Sequence, residues 1–367
     1  MTGEAGQGLI ELLLGSSHYV GRHVRELEQT MTTAGRVIGK QLRRRQFLAA
    51  LPGLFFTHFA IAQSPNSTRK VGILLGSSRQ TNGRLYFNAF HEGLSKLGWT
   101  EGRNIVVTAY WGEGDSSIMQ AHAMELVKSR PDVIAVQSAT ALRAVSKLTA
   151  DIPIVFFVVS DPVGNKFVQS LSRPGGNITG FSLFNYEIVG KWLQLLKEIA
   201  PNVERVLLLM NVNNPNWPGW LRASEKPFRA LGIQLVAPRI TRPLDIEPQI
   251  SAVARQTNSG LIVLPDPFLG PYQQLIIDSA VKHRLPAIYS GERYVDHGGL
   301  IAYSADEVDF ARRAAEYVSR ILRGEKPNDL PVQMPNKFKL AVNLKTAKSF
   351  GITIPQSVLL GADKVIH

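Results

Sequence analysis

The sequence predicts an α/β protein built as two doubly wound parallel-sheet lobes joined by a hinge. From Lys70 onward, short apolar runs rich in β-branched residues alternate with segments of helical periodicity, the pattern of a parallel sheet covered by helices on both faces. The alternation pauses at "SRPGGNITG", Ser172 to Gly180, and then restarts. The length of 367 residues, with 44% hydrophobic and 19% charged, is enough for two cores.

In the first unit, "KVGILLG", "NIVVTAYW", "PDVIAVQS" and "IPIVFFVVS" read as strands. Between them, "RLYFNAFHEGLSKLGW", "SIMQAHAMELVKS" and "TALRAVSKLT" space their apolar residues as helices do. In the second unit, "VERVLLLMNV", "IQLVAP", "SGLIVLPD" and "LPAIYS" are the strands. Its helices are "EIVGKWLQLLKEIAP", "GWLRASEKPFRALG", "IEPQISAVARQT" and "YQQLIIDSAVKHR". A strand "GGLIAYS", an amphipathic helix "DEVDFARRAAEYVSRILRG", a proline-rich crossing and a last strand and helix complete the chain. The expected organisation is an N-terminal segment 1–62 and a first lobe 63–178 with a returning segment at about 304–336. The second lobe is then 179–303 with a C-terminal segment 337–367.

Residues 1–62 read as an export segment. The cluster Arg43, Arg44, Arg45 precedes an apolar run and Ala60-Ile61-Ala62, which predicts a signal peptide cleaved after Ala62 and a periplasmic location. "RRQFL" also resembles the twin-arginine export motif. Pro52, Gly53 and His58 interrupt the run, so it makes a poor membrane span. Met31, closer to this segment, is a candidate start. The chain has no cysteine, which excludes disulfides, thiolate metal sites and a cysteine nucleophile. The net charge is +12; residues 1–62 hold seven Lys/Arg and four Asp/Glu, leaving 34 basic and 25 acidic residues, or +9. That charge is dispersed, with no basic-aromatic patch, and predicts no nucleic-acid partner.

Two uses compete for "SRPGGNITG". Gly175, Gly176 and Gly180 would serve a hinge that absorbs backbone rotation as lobes close, or an ordinary loop. A phosphate loop is excluded because no Gly-Lys-Ser/Thr follows. None of His91, His122, His283, His297 and His367 stands in a zinc pattern, and no G-x-S-x-G elbow is present, so no metal, cofactor or enzyme activity is expected.

Ligands of open α/β sheets sit beyond the carboxyl ends of the strands. In the first lobe those ends offer Ser77, Ser78, Gln137, Ser138, Ala139, Thr140, Ser160 and Asp161, the last read with Pro162 as the start of a helix. Ser138 and Thr140 open a helix whose free amides suit a carboxylate, and either also serves as its cap. In the second they offer Phe181, Ser182, Asn211, Asp266 and Glu292. Asp266, between two prolines, would pair with an amine or cap the next segment. Phe181 and Tyr303 are aromatic walls or core residues. Trp217 and Trp220 would form a lid or docking surface. Hydroxyls on one lobe and Asp266 on the other predict a zwitterion, an amino acid or related small carboxylate.

Three long segments carry a family resemblance: "VVSDPVGNKFVQSLSRPGGNITGFS", "DPFLGPYQQLIIDSAVKHRLPAIYSGERYVDHGGLIAYS" and the tail from "AAEYVSRILRG" to "ADKVI". Over Lys70 to His367 the chain resembles ABC transporter substrate-binding proteins of the type that includes tryptophan- and tyrosine-uptake proteins. The resemblance implies a type 1 periplasmic binding fold and a ligand in the cleft. It also implies no catalysis of its own and an ATPase-driven permease in the inner membrane as partner. A monomer is expected; a sensing module that presents the same fold to a membrane receptor is the alternative, with a periplasmic enzyme of the same architecture ranked behind it.

Overall fold

The computed structural model describes residues 68–183, 185–335 and 337–367. The expected export segment, its arginines, Ala62 and Met31 lie outside the described residues.

The first sheet contains β1 (Arg69–Leu75), β2 (Ile105–Trp111), β3 (Val133–Gln137), β4 (Ile154–Val159) and β5 (Ile178–Ser182), all parallel in the order β2-β1-β3-β4-β5. The three inner strands are apolar runs because both faces are covered. Alternate side chains feed two cores. Leu74, Val136 and Phe156 pack with Leu126 and Leu142 of α2 (Ser116–Lys128) and α3 (Ala139–Ser146). Ile73, Leu75 and Phe157 face the other way, onto Phe90 and Leu94 of α1 (Arg84–Lys96).

The second sheet repeats the winding. β6 (Arg205–Leu209), β7 (Gln234–Val236), β8 (Ser259–Val263), β9 (Ala287–Tyr289) and β10 (Ile301–Ala305) stand in the order β7-β6-β8-β9-β10. β11 (Phe338–Asn343) then pairs antiparallel to β10, and β12 (Lys364–Ile366) parallel to β11. The helices α4 (Ile188–Ile199), α5 (Trp217–Ala230), α6 (Ile246–Ala254), α7 (Gln273–Lys282) and α8 (Glu292–Asp296) connect its strands. α9 (Glu307–Leu322) follows β10 but packs on α1 and against β3, β4 and β5. Gly93 of α1 permits that approach, since a Cβ there would lie 2.8 Å from the Ala315 methyl. α10 (Leu344–Phe350) and α11 (Gln356–Leu360) complete the second lobe. Among the described residues no helix is long and apolar enough to cross a membrane.

The chain passes between the sheets three times: after Ser182, between Ala305 and Glu307, and between Gln333 and Phe338. This moves the boundary expected at residue 178. β5 belongs to the first sheet, so Phe181 and Ser182 are first-lobe residues, while Ser304 and Ala305 stay with the second. The glycines expected to hinge do not lie at a crossing. Gly175 and Gly176 have φ of 71° and 78° in the turn entering β5, and the Gly175 amide donates to Asn328 Oδ1. Gly180 sits inside β5 with φ of 151°, and a Cβ there would come within 2.0 Å of the Phe156 carbonyl oxygen. Its glycine serves close strand approach, not motion. Nor does Asp161 start a helix: residues 161–169 form turns, with φ of 41° at Asp161 and its carboxylate accepting from the Gly164 amide.

Gly180→Ala should therefore lower stability by about 3 kcal/mol or more, because strained backbone and a backbone clash coincide. Gly176→Ala, with open space around the site, should cost only about 1–2 kcal/mol from its left-handed φ. Urea unfolding of the two variants gives the comparison; equal costs would restore the hinge reading.

Candidate functional site

Each sheet reverses its strand order beside its first strand, between β1 and β3 and between β6 and β8. The carboxyl ends of these strands face one another across a cavity of about 270 Å³ lined from both lobes. Small-molecule sites run from about 300 Å³ upward, so the space suits a compact ligand.

On the first lobe, Ser77 follows β1 and donates from its amide and its hydroxyl to Gln137 Oε1, at 3.0 and 3.2 Å. Ser138 adopts φ of 89° and caps α3, its Oγ accepting from the Ala141 amide. Gly76 makes room for this cap, since a Cβ would lie 2.3 Å from Ser138 Oγ. Helix geometry leaves the Ala139 and Thr140 amides without partners in α3, with the positive end of its dipole at Ala139 on the cavity wall. Thr140 itself lines an adjoining hollow together with Asn211. Ser78 is off the wall and caps the next turn, accepting from the Gln80 amide.

On the second lobe, Asp266 reaches the cavity, but its carboxylate is already occupied. Oδ2 accepts from the Asn211 amide at 2.8 Å; Oδ1 accepts from Asn214 Nδ2 at 3.0 Å and the Phe268 amide at 3.1 Å. Burial pushes its pKa up to about 6 against the pull of these bonds. These contacts make Asp266 a staple between the ends of β6 and β8, in place of the amine partner expected from the sequence. Glu292, at the start of α8, is paired with Lys364 at 2.9 Å, which also holds Asp296 at 2.6 Å.

Three expected wall residues lie elsewhere. Phe181 is 1% exposed, packed on Phe310 and Tyr317 with the Arg313 guanidinium over its ring. Ser182 is buried and donates to the Val159 carbonyl. Tyr303 stacks on Phe338 at 5.3 Å. All three sit within or beside strands, where aromatic and small residues serve the core. Trp220 is likewise a core residue, stacked 5.4 Å from Trp192, and Trp217 packs against the same cluster.

The cavity also draws on Ser160, a strand-end residue after β4, and on residues no strand end revealed. Asn82 Oδ1, Ser160 Oγ and Gln273 Nε2 line it and are buried without a hydrogen-bond partner. Tyr86 of α1 donates its hydroxyl to Glu307 Oε2 at the start of α9. Burial raises the Glu307 pKa to about 7 and raises that of Tyr86, with the Glu307 charge adding to the latter. Tyr294, half-buried and with its pKa raised by desolvation, forms part of the wall. Among the described residues no group of three or more His, Asp and Glu is placed to hold a metal.

The lobes touch around this space. Arg293 Nη1 donates to the Thr81 carbonyl at 3.1 Å, and Asn165 Nδ2 to Asn216 Oδ1 at 2.9 Å. Gly114 abuts the backbone at Pro267 and Phe268. Asp266→Ala should leave three buried N–H donors without their acceptor and cost about 3 kcal/mol. A fall in thermal midpoint in dialysed, ligand-free protein checks this; an unchanged midpoint with lost ligand binding would return Asp266 to the amine role.

A tyrosine-binding protein of Clostridioides difficile (strain R20291) is 25% identical over 260 residues, 71% of this chain and 74% of the relative. A solved ABC domain from Streptococcus pneumonia in complex with L-Trp is 25% identical, covers 82% of this chain and 100% of its own, and superposes with a TM-score of 0.76. The ligand-free, open structure of a substrate binding protein with adhesive properties from Clostridium difficile, also 25% identical and covering 82% of this chain and 99% of its own, gives 0.60. At equal identity and coverage, the ligand-bound form is the better match, in keeping with the contacts between lobes. The fold is the type 1 periplasmic binding fold. Residues 83–366 match the family model described as ABC transporter substrate binding protein; the chain belongs to this family.

Proposed function

We propose that this protein captures a free α-amino acid with a large apolar or aromatic side chain and delivers it to an ABC permease on the outer face of the inner membrane. The observation that carries the reading is the set of buried polar atoms without partners. Asn82 and Ser160 come from one lobe and Gln273 from the other. Buried polar groups are nearly always paired, so three facing one cavity from both lobes mark positions for a ligand to fill. The dipole end of α3 and its free amides suit the ligand carboxylate. Tyr86, Tyr294, Leu183 and Leu264 supply an apolar surround. The names of the relatives, one binding tyrosine and one holding L-Trp, support the same class.

The protein acts by binding without turnover. A solute that contacts both lobes is held fully only when they are together, so binding favours the closed form that a permease would recognise. Export across the inner membrane and action as a monomer fit this role.

Thermal unfolding against L-amino acids, small carboxylates, sugars and nucleosides tests the reading. A ligand at a hundred times its Kd should stabilise by about 2.7 kcal/mol, with L-tyrosine or L-tryptophan among the hits. Ser160→Ala and Gln273→Ala should each weaken that binding about tenfold, the value of one lost hydrogen bond. Hits confined to sugars or nucleosides would overturn the amino-acid assignment.

A further inference from the structure

We infer that Glu307, with Asn82, forms the subsite for the ligand's ammonium group, and that binding there is coupled to ionisation of Glu307. This rests on the amino-acid reading above.

Five carboxylates line the cavity: Asp266, Glu292, Asp296, Asp306 and Glu307. The fold occupies four of them. Asp266 accepts three N–H bonds, Glu292 and Asp296 share Lys364, and Asp306 holds Lys339 at 2.8 Å while capping α9 through the Asp309 amide. Among the described residues Glu307 has no cationic partner within salt-bridge distance and receives only the Tyr86 hydroxyl. The Asn82 side chain faces the same hydroxyl, and its Oδ1 is buried with no donor. The Glu307 carboxylate and the Asn82 Oδ1 are thus two acceptors on the cavity wall beside Tyr86, and a primary ammonium brings three donors and a positive charge to them.

The surrounding charges suit a switchable site. The groups that face this cluster are Tyr86 on α1, Arg293 and Tyr294 on α8, and Asp306 beside Glu307 on α9. Arg293 acts on it at a distance, its guanidinium being bonded to the Thr81 carbonyl. Burial and the Asp306 charge disfavour ionised Glu307, giving a pKa of about 7. An arriving ammonium favours the ionised form. The affinity for an amine-bearing ligand therefore rises with pH through 7, and one proton is released on binding below it. An α-amino acid keeps its ammonium over this range, so the slope belongs to the protein.

The test is calorimetric titration of the full protein with L-tyrosine and with its deaminated analogue, 3-(4-hydroxyphenyl)propanoate, at pH 6 and pH 8. In the wild type, L-tyrosine should bind about tenfold tighter at pH 8, the change in ionised fraction for a group of pKa about 7. The analogue should bind much more weakly at both values. Glu307→Gln, with folding checked by its thermal midpoint, should bind L-tyrosine at least tenfold more weakly and without the pH slope. Retention of slope and affinity in Glu307→Gln overturns the proposal and moves the titration to Asp266. So does equal binding of the analogue by the wild type, a result that needs no variant. Failure of L-tyrosine and the other L-amino acids to bind at either pH instead overturns the amino-acid reading, and this proposal with it.

Discussion

A polar group enclosed between two lobes must find a partner, and that requirement organises the cleft. A buried N–H or carboxylate left alone costs more than a hydrogen bond returns. The protein meets the requirement itself at most positions. Asp266 is surrounded by three N–H donors, Gln137 holds the Ser77 hydroxyl, and Lys364 ties two carboxylates together. Among the atoms it leaves unpaired, those of Asn82, Ser160 and Gln273 are on the cavity wall, while His122 Nδ1 and Arg143 Nε lie away from it. Position on the cavity wall together with a missing partner is what marks the candidate site.

The connectivity brings the unmet groups together. α9 leaves the second sheet at Ala305 and at once packs on α1 in the first lobe. Its first residue, Glu307, is thereby set against Tyr86 of α1, 221 positions away in the chain. The crossing that links the lobes thus also forms part of the cavity wall. The crossing between lobes and the proposed ammonium subsite share one short segment, anchored by the Asp306–Lys339 pair.

Closure needs little from the protein alone. Among the described residues the bonds between lobes around the cavity are polar: Arg293 to Thr81, and Asn165 to Asn216 and to the Tyr186 hydroxyl. Polar contacts of this kind exchange with water at small net gain, so in the proposed function the differential affinity for the closed form would come from the ligand. The better match to an L-Trp-bound relative than to an open, ligand-free one belongs to the same picture.

The sequence by itself determined the alternation of strands and helices, the two-lobe architecture and the family. Those features are written in local periods: apolar runs for strands buried on both faces, and 3.6-residue spacing for helices. It also located the first-lobe strand ends at Ser77 and Ser138, because a capping residue after an apolar run is a local signal. Only the tertiary structure decided what each polar or aromatic residue touches. Glycines in "SRPGGNITG" announced unusual backbone, but whether that means motion or the close approach of Gly180 to Phe156 depends on the neighbouring strand. Asp266 and Glu307 are both acids at the starts of helical segments, and sequence does not distinguish them. One meets Asn211 and Asn214, the other Tyr86, through distances set by how strands stack and where the chain crosses. A side chain's chemistry is local, but its partner is not, and binding depends on which groups have none.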